Sequence, residues 1–199
     1  AWLVKHPAGD VLVDTGASRA DIRPYWPGNT EDIRTVEEGL ADFGRTPADI
    51  RHLVLTHLHF DHAARARLFQ NAAVYVQRAE WDFQNNPHPF AARSYDPEFL
   101  RGMEVVLLDG EAEVVPGVRV FPAPGHTPGA QAVEIDTEKG RAVISGFCCT
   151  EEVFRRKGRV PGIHTDTLAA YDSVQKVRAR ADIVIPQHEP ALESVRQIP

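Results

Sequence analysis

The densest chemistry in the chain lies in Thr56-His57-Leu58-His59-Phe60-Asp61-His62, where three histidines and one carboxylate fall within six positions. With only nine histidines among 199 residues, such a cluster is a poor match to a chance polar loop. It follows the apolar run Leu53-Val54-Leu55, and a buried strand that ends in this set reads as a metal site. Imidazole nitrogen with carboxylate oxygen suits Zn, Fe, Mn or Co rather than Ca or Mg. In an extended segment, positions two apart share a face, which puts His57, His59 and Asp61 on one side and turns His62 to the other. Two ligand sets at one strand end can hold two ions side by side, about 3.5–4 Å apart, with a shared water.

Other polar residues with ligating atoms close other apolar runs. Asp14 ends the strand Val11–Val13. His126 stands in the rigid loop Pro122-Ala123-Pro124-Gly125-His126-Thr127-Pro128-Gly129. His188 follows the last strand, Asp182–Pro186. A sheet gathers distant residues at one edge in this way. Trp2–Lys5 and Val11–Val13, separated by Pro7-Ala8-Gly9-Asp10, predict a hairpin. Arg19–Glu31, with Pro24, Trp26, Pro27 and Gly28, reads as an irregular loop. Ile33, Val36, Leu40 and Phe43 have helical spacing, with Thr35 near its start. Ile50–Leu55 and Ala73–Val76 are strands, Ala63–Leu68 is a short Ala-rich piece, and Arg78–Phe83 begins a helix. Asn85–Pro97 is a long irregular loop of the kind that often binds or covers a ligand. Val105–Leu108, Ala112–Val115, Val118–Phe121, Ala132–Ile135 and Ala142–Ser145 are further strands. Thr165–Arg180 is one helix with apolar positions Leu168, Tyr171, Val174 and Val177. Strands, helix, strands and helix again predict sheets packed face to face with helices outside, an α+β arrangement.

The length allows one large domain or two small ones. Composition, at 43% hydrophobic and 25% charged, is that of a globular protein. A net charge of −6 without a basic stripe argues against a nucleic-acid surface. Arg155-Arg156-Lys157 with Arg159 is a short solvated loop. No apolar run nears the ~18 residues of a membrane span. Cys148 and Cys149 are adjacent and the only cysteines, so a disulfide framework is excluded and a reducing, cytoplasmic setting is expected. The chain has no initiator Met and opens inside a strand pattern, which predicts a fragment or processed form.

Taken in order, Val13-Asp14-Thr15-Gly16, Thr56–His62, Pro124–Gly129 and Pro186-Gln187-His188-Glu189 resemble the motifs of the metallo-β-lactamase superfamily of metal hydrolases. The likeness covers nearly the whole chain. Tyr75-Val76-Gln77-Arg78-Ala79-Glu80-Trp81 and the loop after it are most similar to the N-acyl homoserine lactone lactonases. The resemblance implies a single domain over 1–199, lacking its extreme N-terminal strands, with a four-layer αβ/βα sandwich of two mixed sheets flanked by helices. It implies two divalent metal ions, zinc foremost, with His57, His59 and His126 on one and Asp61, His62 and His188 on the other. Asp14 would orient a ligand histidine through a hydrogen bond. A metal-bound hydroxide, oriented by Asp61, would attack an ester, lactone or related carbonyl of a small-molecule substrate. A mononuclear-iron enzyme like the sulfur dioxygenases, or a catalytically weak metal- or metabolite-binding relative, is the alternative. Retention of both Asp61 and His62 argues for the binuclear hydrolase.

One position departs from the family pattern. An aspartate that bridges the two ions is expected at the end of Val143-Ile144-Ser145-Gly146, and Phe147 stands there instead. Thr150 replaces the tyrosine that lactonases carry three residues later. Three readings are open: a one-residue bulge brings the Cys148 thiolate to the metal, thiolate being a good zinc ligand; the corner is vacant or water-filled; or the paired thiols serve redox chemistry. His164, ahead of the long helix, is a candidate substrate contact, proton donor or ligand, or a surface loop histidine.

Overall fold

The computed structural model describes residues 1–26 and 28–198; Pro27, counted in the irregular loop at the sequence level, lies outside them. Two compact units, Ala1–Leu107 and Leu108–Pro199, are each built on a mixed five-stranded sheet.

In the first unit β1 (Trp2–Val4) and β2 (Val11–Val13) form the expected antiparallel hairpin. β2 runs parallel to β3 (His52–Val54), and β3 parallel to β4 (Ala73–Gln77). β5 (Glu104–Leu108) completes the sheet. Parallel neighbours require a crossover between them. The first carries α1 (Arg19–Ile22) and α2 (Val36–Ala41), and the second carries α3 (Phe60–Ala63). Leu12, Leu53, Leu55, Val74 and Val76 pack with Leu40, Ile50 and Phe69 as its core. Register positions the chemistry. Val13 pairs with Val54, and the Asp14 N–H donates to the Val54 carbonyl at 2.9 Å. Asp14 and Thr56 therefore leave the sheet beside each other, at the carboxyl ends of parallel strands where ligand sites form. α4 (Arg78–Asn85) starts directly at the end of β4.

Three local expectations change here. Ser18 and Asp21 cap each other reciprocally and start α1 inside the loop predicted to be irregular. The helix predicted over Ile33–Phe43 begins only after Thr35, whose hydroxyl accepts the Glu38 N–H, so Ile33 stays outside it and exposed. The ligand cluster is not extended beyond His59. The His59 carbonyl accepts the Ala63 N–H and the chain turns into α3, so simple alternation does not describe Asp61 and His62.

In the second unit β6 (Ala112–Val115), β7 (Val118–Pro122), β8 (Gln131–Thr137) and β9 (Gly140–Ile144) follow one another antiparallel. β10 (Ile183–Ile185) lies parallel to β9 after a crossover through α5 (Glu151–Arg155) and α6 (Thr167–Arg180). α5 has no counterpart in the sequence reading. Asp166 caps α6 by accepting the Leu168 and Ala169 N–H groups. The inward face of α6 is Ala170, Ser173, Val174 and Val177, whereas the predicted Leu168 and Tyr171 are 78% and 41% exposed. The reason is close approach: a Cβ on Gly125 (φ +124) would lie 2.2 Å from the Ala170 nitrogen. Only small residues fit where α6 rests on the His126 loop, and the Ser173 hydroxyl bonds the Pro124 carbonyl there at 2.6 Å. Among the described residues no helix is long and apolar enough to cross a membrane.

Candidate functional site

Within the first unit the four cluster residues converge. The His57 ring lies 4.7 Å from that of His59 and 4.0 Å from that of His62, centroid to centroid. His62 Nε2 stands 3.5 Å from an Asp61 carboxylate oxygen. Asp14 holds the set from behind. Its carboxylate accepts the Thr56 N–H at 2.8 Å, the Thr56 hydroxyl at 2.8 Å and His62 Nδ1–H at 2.9 Å. Because the Thr56 hydroxyl proton is directed at Asp14, its oxygen is free to accept His57 Nδ1–H at 3.2 Å. One buried carboxylate thus sets the tautomer of two imidazoles and leaves Nε2 of each as the lone-pair nitrogen. Asp14 adopts φ +57, a left-handed conformation that a short polar side chain tolerates. Thr15 closes the arrangement: its N–H and hydroxyl both donate to the His62 carbonyl, each at 2.8 Å. Burial opposes protonation of His62, but Asp61 and Asp14 outweigh it and hold its pKa above the usual value.

The second unit prepares His126 in the same way. Its Nδ1–H donates to the Ile163 carbonyl at 2.7 Å, which again leaves Nε2 as acceptor. The loop that supplies this carbonyl is pinned to the His126 loop, where Thr165 N–H donates to the Gly125 carbonyl at 2.6 Å. His164 braces the loop itself, with Nδ1–H to the Pro161 carbonyl at 2.7 Å and Nε2 accepting the Thr167 hydroxyl at 2.8 Å. Both its ring nitrogens are thus engaged locally. His188 is exposed just past β10, and its N–H donates to the Cys149 carbonyl at 3.0 Å.

At the departing corner Phe147 is 1% exposed and sits in the second unit's core with Phe121, Val143 and Val174, stacked on Phe154 at 6.0 Å. Gly146 (φ +72) precedes it, and a Cβ there would lie 1.8 Å from the Gln131 carbonyl oxygen. Cys149 is buried, its Sγ 3.4 Å from Ser145 Oγ, and burial pushes its thiol pKa up to about 12. Cys148 is the half-buried member of the pair. The sequence reading assigned no role to Thr56 or Thr15. The available signal was their place, just past apolar strand runs and beside acidic or ligating neighbours.

The chain matches the family model described as the metallo-beta-lactamase superfamily over residues 1–188. It is 29% identical over 189 residues to an N-acyl homoserine lactonase of Bacillus sp, covering 89% of this chain and 74% of the relative. The N-acyl homoserine lactonase AttM of Agrobacterium fabrum is 29% identical over 217 residues, covering 95% and 81%. Among solved structures, an N-acyl homoserine lactone hydrolase with the product N-hexanoyl-L-homoserine bound at its catalytic metal centre superposes with a TM-score of 0.78 at 27% identity. That likeness spans 96% of this chain and 81% of the other, so the two mixed sheets with their helices are the expected α/β sandwich.

Proposed function

The chain belongs to the metallo-β-lactamase superfamily, and from that premise we propose that it is a binuclear metal-dependent lactone hydrolase acting on N-acyl homoserine lactones. His57, His59 and His126 hold one ion in this reading, and Asp61, His62 and His188 the other. The observation that carries it is the shared preparation of the histidines: Asp14, Thr56 and the Ile163 carbonyl occupy Nδ1 of His62, His57 and His126 and leave Nε2 for a cation. A set of neutral imidazoles with one carboxylate fits zinc and its neighbours. Bound there, two divalent cations would acidify a water and polarise the lactone carbonyl.

The protein's own residues do the rest. Asp61 orients the attacking water and takes up its proton. Asp14 keeps the His57 and His62 rings from rotating. His164 acts through the loop it braces, holding the carbonyl that fixes His126. Phe147 belongs to the core and Cys148 falls in neither ligand group, and Thr150 takes the place of the lactonase tyrosine. A mononuclear iron site of sulfur dioxygenase type would have no need of both Asp61 and His62. The two adjacent thiols, Cys148 and Cys149, are not joined in a disulfide and support a cytoplasmic setting.

The test is zinc titration of metal-free protein together with pH-stat hydrolysis of N-acyl homoserine lactones and simple esters. Two equivalents bound and lactone turnover are expected, both lost in His59→Ala with the fold retained by circular dichroism. A single saturating equivalent, or no lactone turnover by the two-zinc protein, refutes the reading.

A further inference from the structure

We propose that Glu80 and Tyr95 are a positioning pair for the metal-ligand segment, an inference that rests on the reading of His57 and His59 as ligands. Glu80 lies in the first turn of α4 and is fully buried. Its Oε1 accepts the Leu58 N–H at 3.0 Å and the Tyr95 hydroxyl at 3.0 Å. Leu58 is the residue between His57 and His59, so this bond fixes the peptide that carries both. Its side chain is also buried in the first unit's core, which grips the segment from a second direction. The Tyr95 ring stands edge-on to that of His59, 4.8 Å between centroids at 70°, and Phe83 of α4 packs edge-on against Tyr95 at 5.6 Å. One carboxylate therefore sets both the backbone between two ligands and, through Tyr95, the surface against which the His59 ring rests.

Burying a carboxyl is unfavourable unless hydrogen bonds satisfy it. Leucine or methionine would fill the same volume without that penalty. What they cannot do is accept the Leu58 N–H, which would otherwise lose a partner in the protein interior. The acceptor is thus the property this position supplies, and neither Glu80 nor Tyr95 is among the ligands assigned above. Groups that orient ligands from behind typically change metal affinity by about 10–100-fold when removed.

Three variants test the pair, with cobalt(II) as the probe and competition against a chromogenic chelator as the assay. Glu80→Leu removes the acceptor, Glu80→Gln keeps an acceptor oxygen, and Tyr95→Phe keeps the ring while removing the donor. Glu80→Leu should bind cobalt about 10–100-fold more weakly with an altered visible absorption band. Tyr95→Phe should show a smaller loss with the same spectral trend, and Glu80→Gln should stay near wild type. Circular dichroism melts of the metal-free proteins report folding separately. Unchanged cobalt affinity and spectrum in folded Glu80→Leu, or equal losses in the Gln and Leu variants, overturn the proposal. Should Glu80→Leu not fold, an unchanged cobalt spectrum in Tyr95→Phe overturns it. Lactone turnover is followed in parallel: a wild type that hydrolyses no lactone, with cobalt affinities in the expected order, refutes the substrate and leaves the positioning pair standing.

Discussion

Phe147→Asp restores the carboxylate that the family pattern places after β9, and its outcome depends on where that side chain lies. Phe147 is 1% exposed, packed among Phe121, Val143, Val153 and Val174 and stacked on Phe154. Truncating a buried aromatic removes about 3–5 kcal/mol through lost transfer and the cavity left behind. The new carboxyl would also have to stay protonated in that core. Holding an ordinary aspartate neutral at pH 7 costs about 4 kcal/mol, from ~1.4 kcal/mol per pH unit over roughly three units. Together these amount to about 7–9 kcal/mol, against a whole-domain stability of about 5–15 kcal/mol. Thermal melts by circular dichroism, with and without added zinc, are the assay. The variant should be largely unfolded or strongly destabilised, and zinc should not rescue it, because an aspartate in the core cannot reach a cation. A melt close to wild type, or one restored by zinc, would refute the core placement and return this position to the bridging corner.

Asp14→Asn keeps a residue that tolerates φ +57 and removes the charge that accepts from Thr56 and His62; zinc affinity should fall by about 10–100-fold, read by chelator competition. His62 titrates above its ordinary value of ~6.5. Its contribution to the metal-free fold is therefore complete below the unfolded-state value and disappears as pH rises through the folded one. Metal-free melting temperature should drop as pH rises above the ordinary histidine value of about 6.5, while zinc affinity rises as protons cease to compete; a flat metal-free melt would contradict the charge environment assigned to His62. Cys149, its thiol pushed up to about 12 by burial, should resist alkylation in the native protein while half-buried Cys148 reacts. Because Cys148 falls in neither ligand group, the cobalt form should show no thiolate charge-transfer band; a band that Cys148→Ser abolishes would place that thiolate on the metal.

The sequence alone carried the chemistry that depends on short spacing. His57, His59, Asp61 and His62 stand together because six consecutive positions after a buried strand hold them, and no tertiary contact is needed to see it. Asp14 and the Pro/Gly loop around His126 were legible for the same reason, since strand ends and turn residues write themselves locally. Neighbouring strands β2 and β3 were legible as apolar runs, but their parallel register was not, and that register is what brings Asp14 to Thr56 and His62. The orientation of α6 was misread because a helical apolar stripe ignores close approach, and Gly125 admits only Ala170 against it. Phe147 could be seen as a missing ligand, but its place in the core comes from packing with Phe121 and Val174, residues distant in the chain. Glu80 and Tyr95 lie 15 residues apart and meet Leu58 only once the parallel strands have been laid side by side. Local pattern decides which atoms are available for chemistry; the register and packing of distant segments decide which way those atoms face.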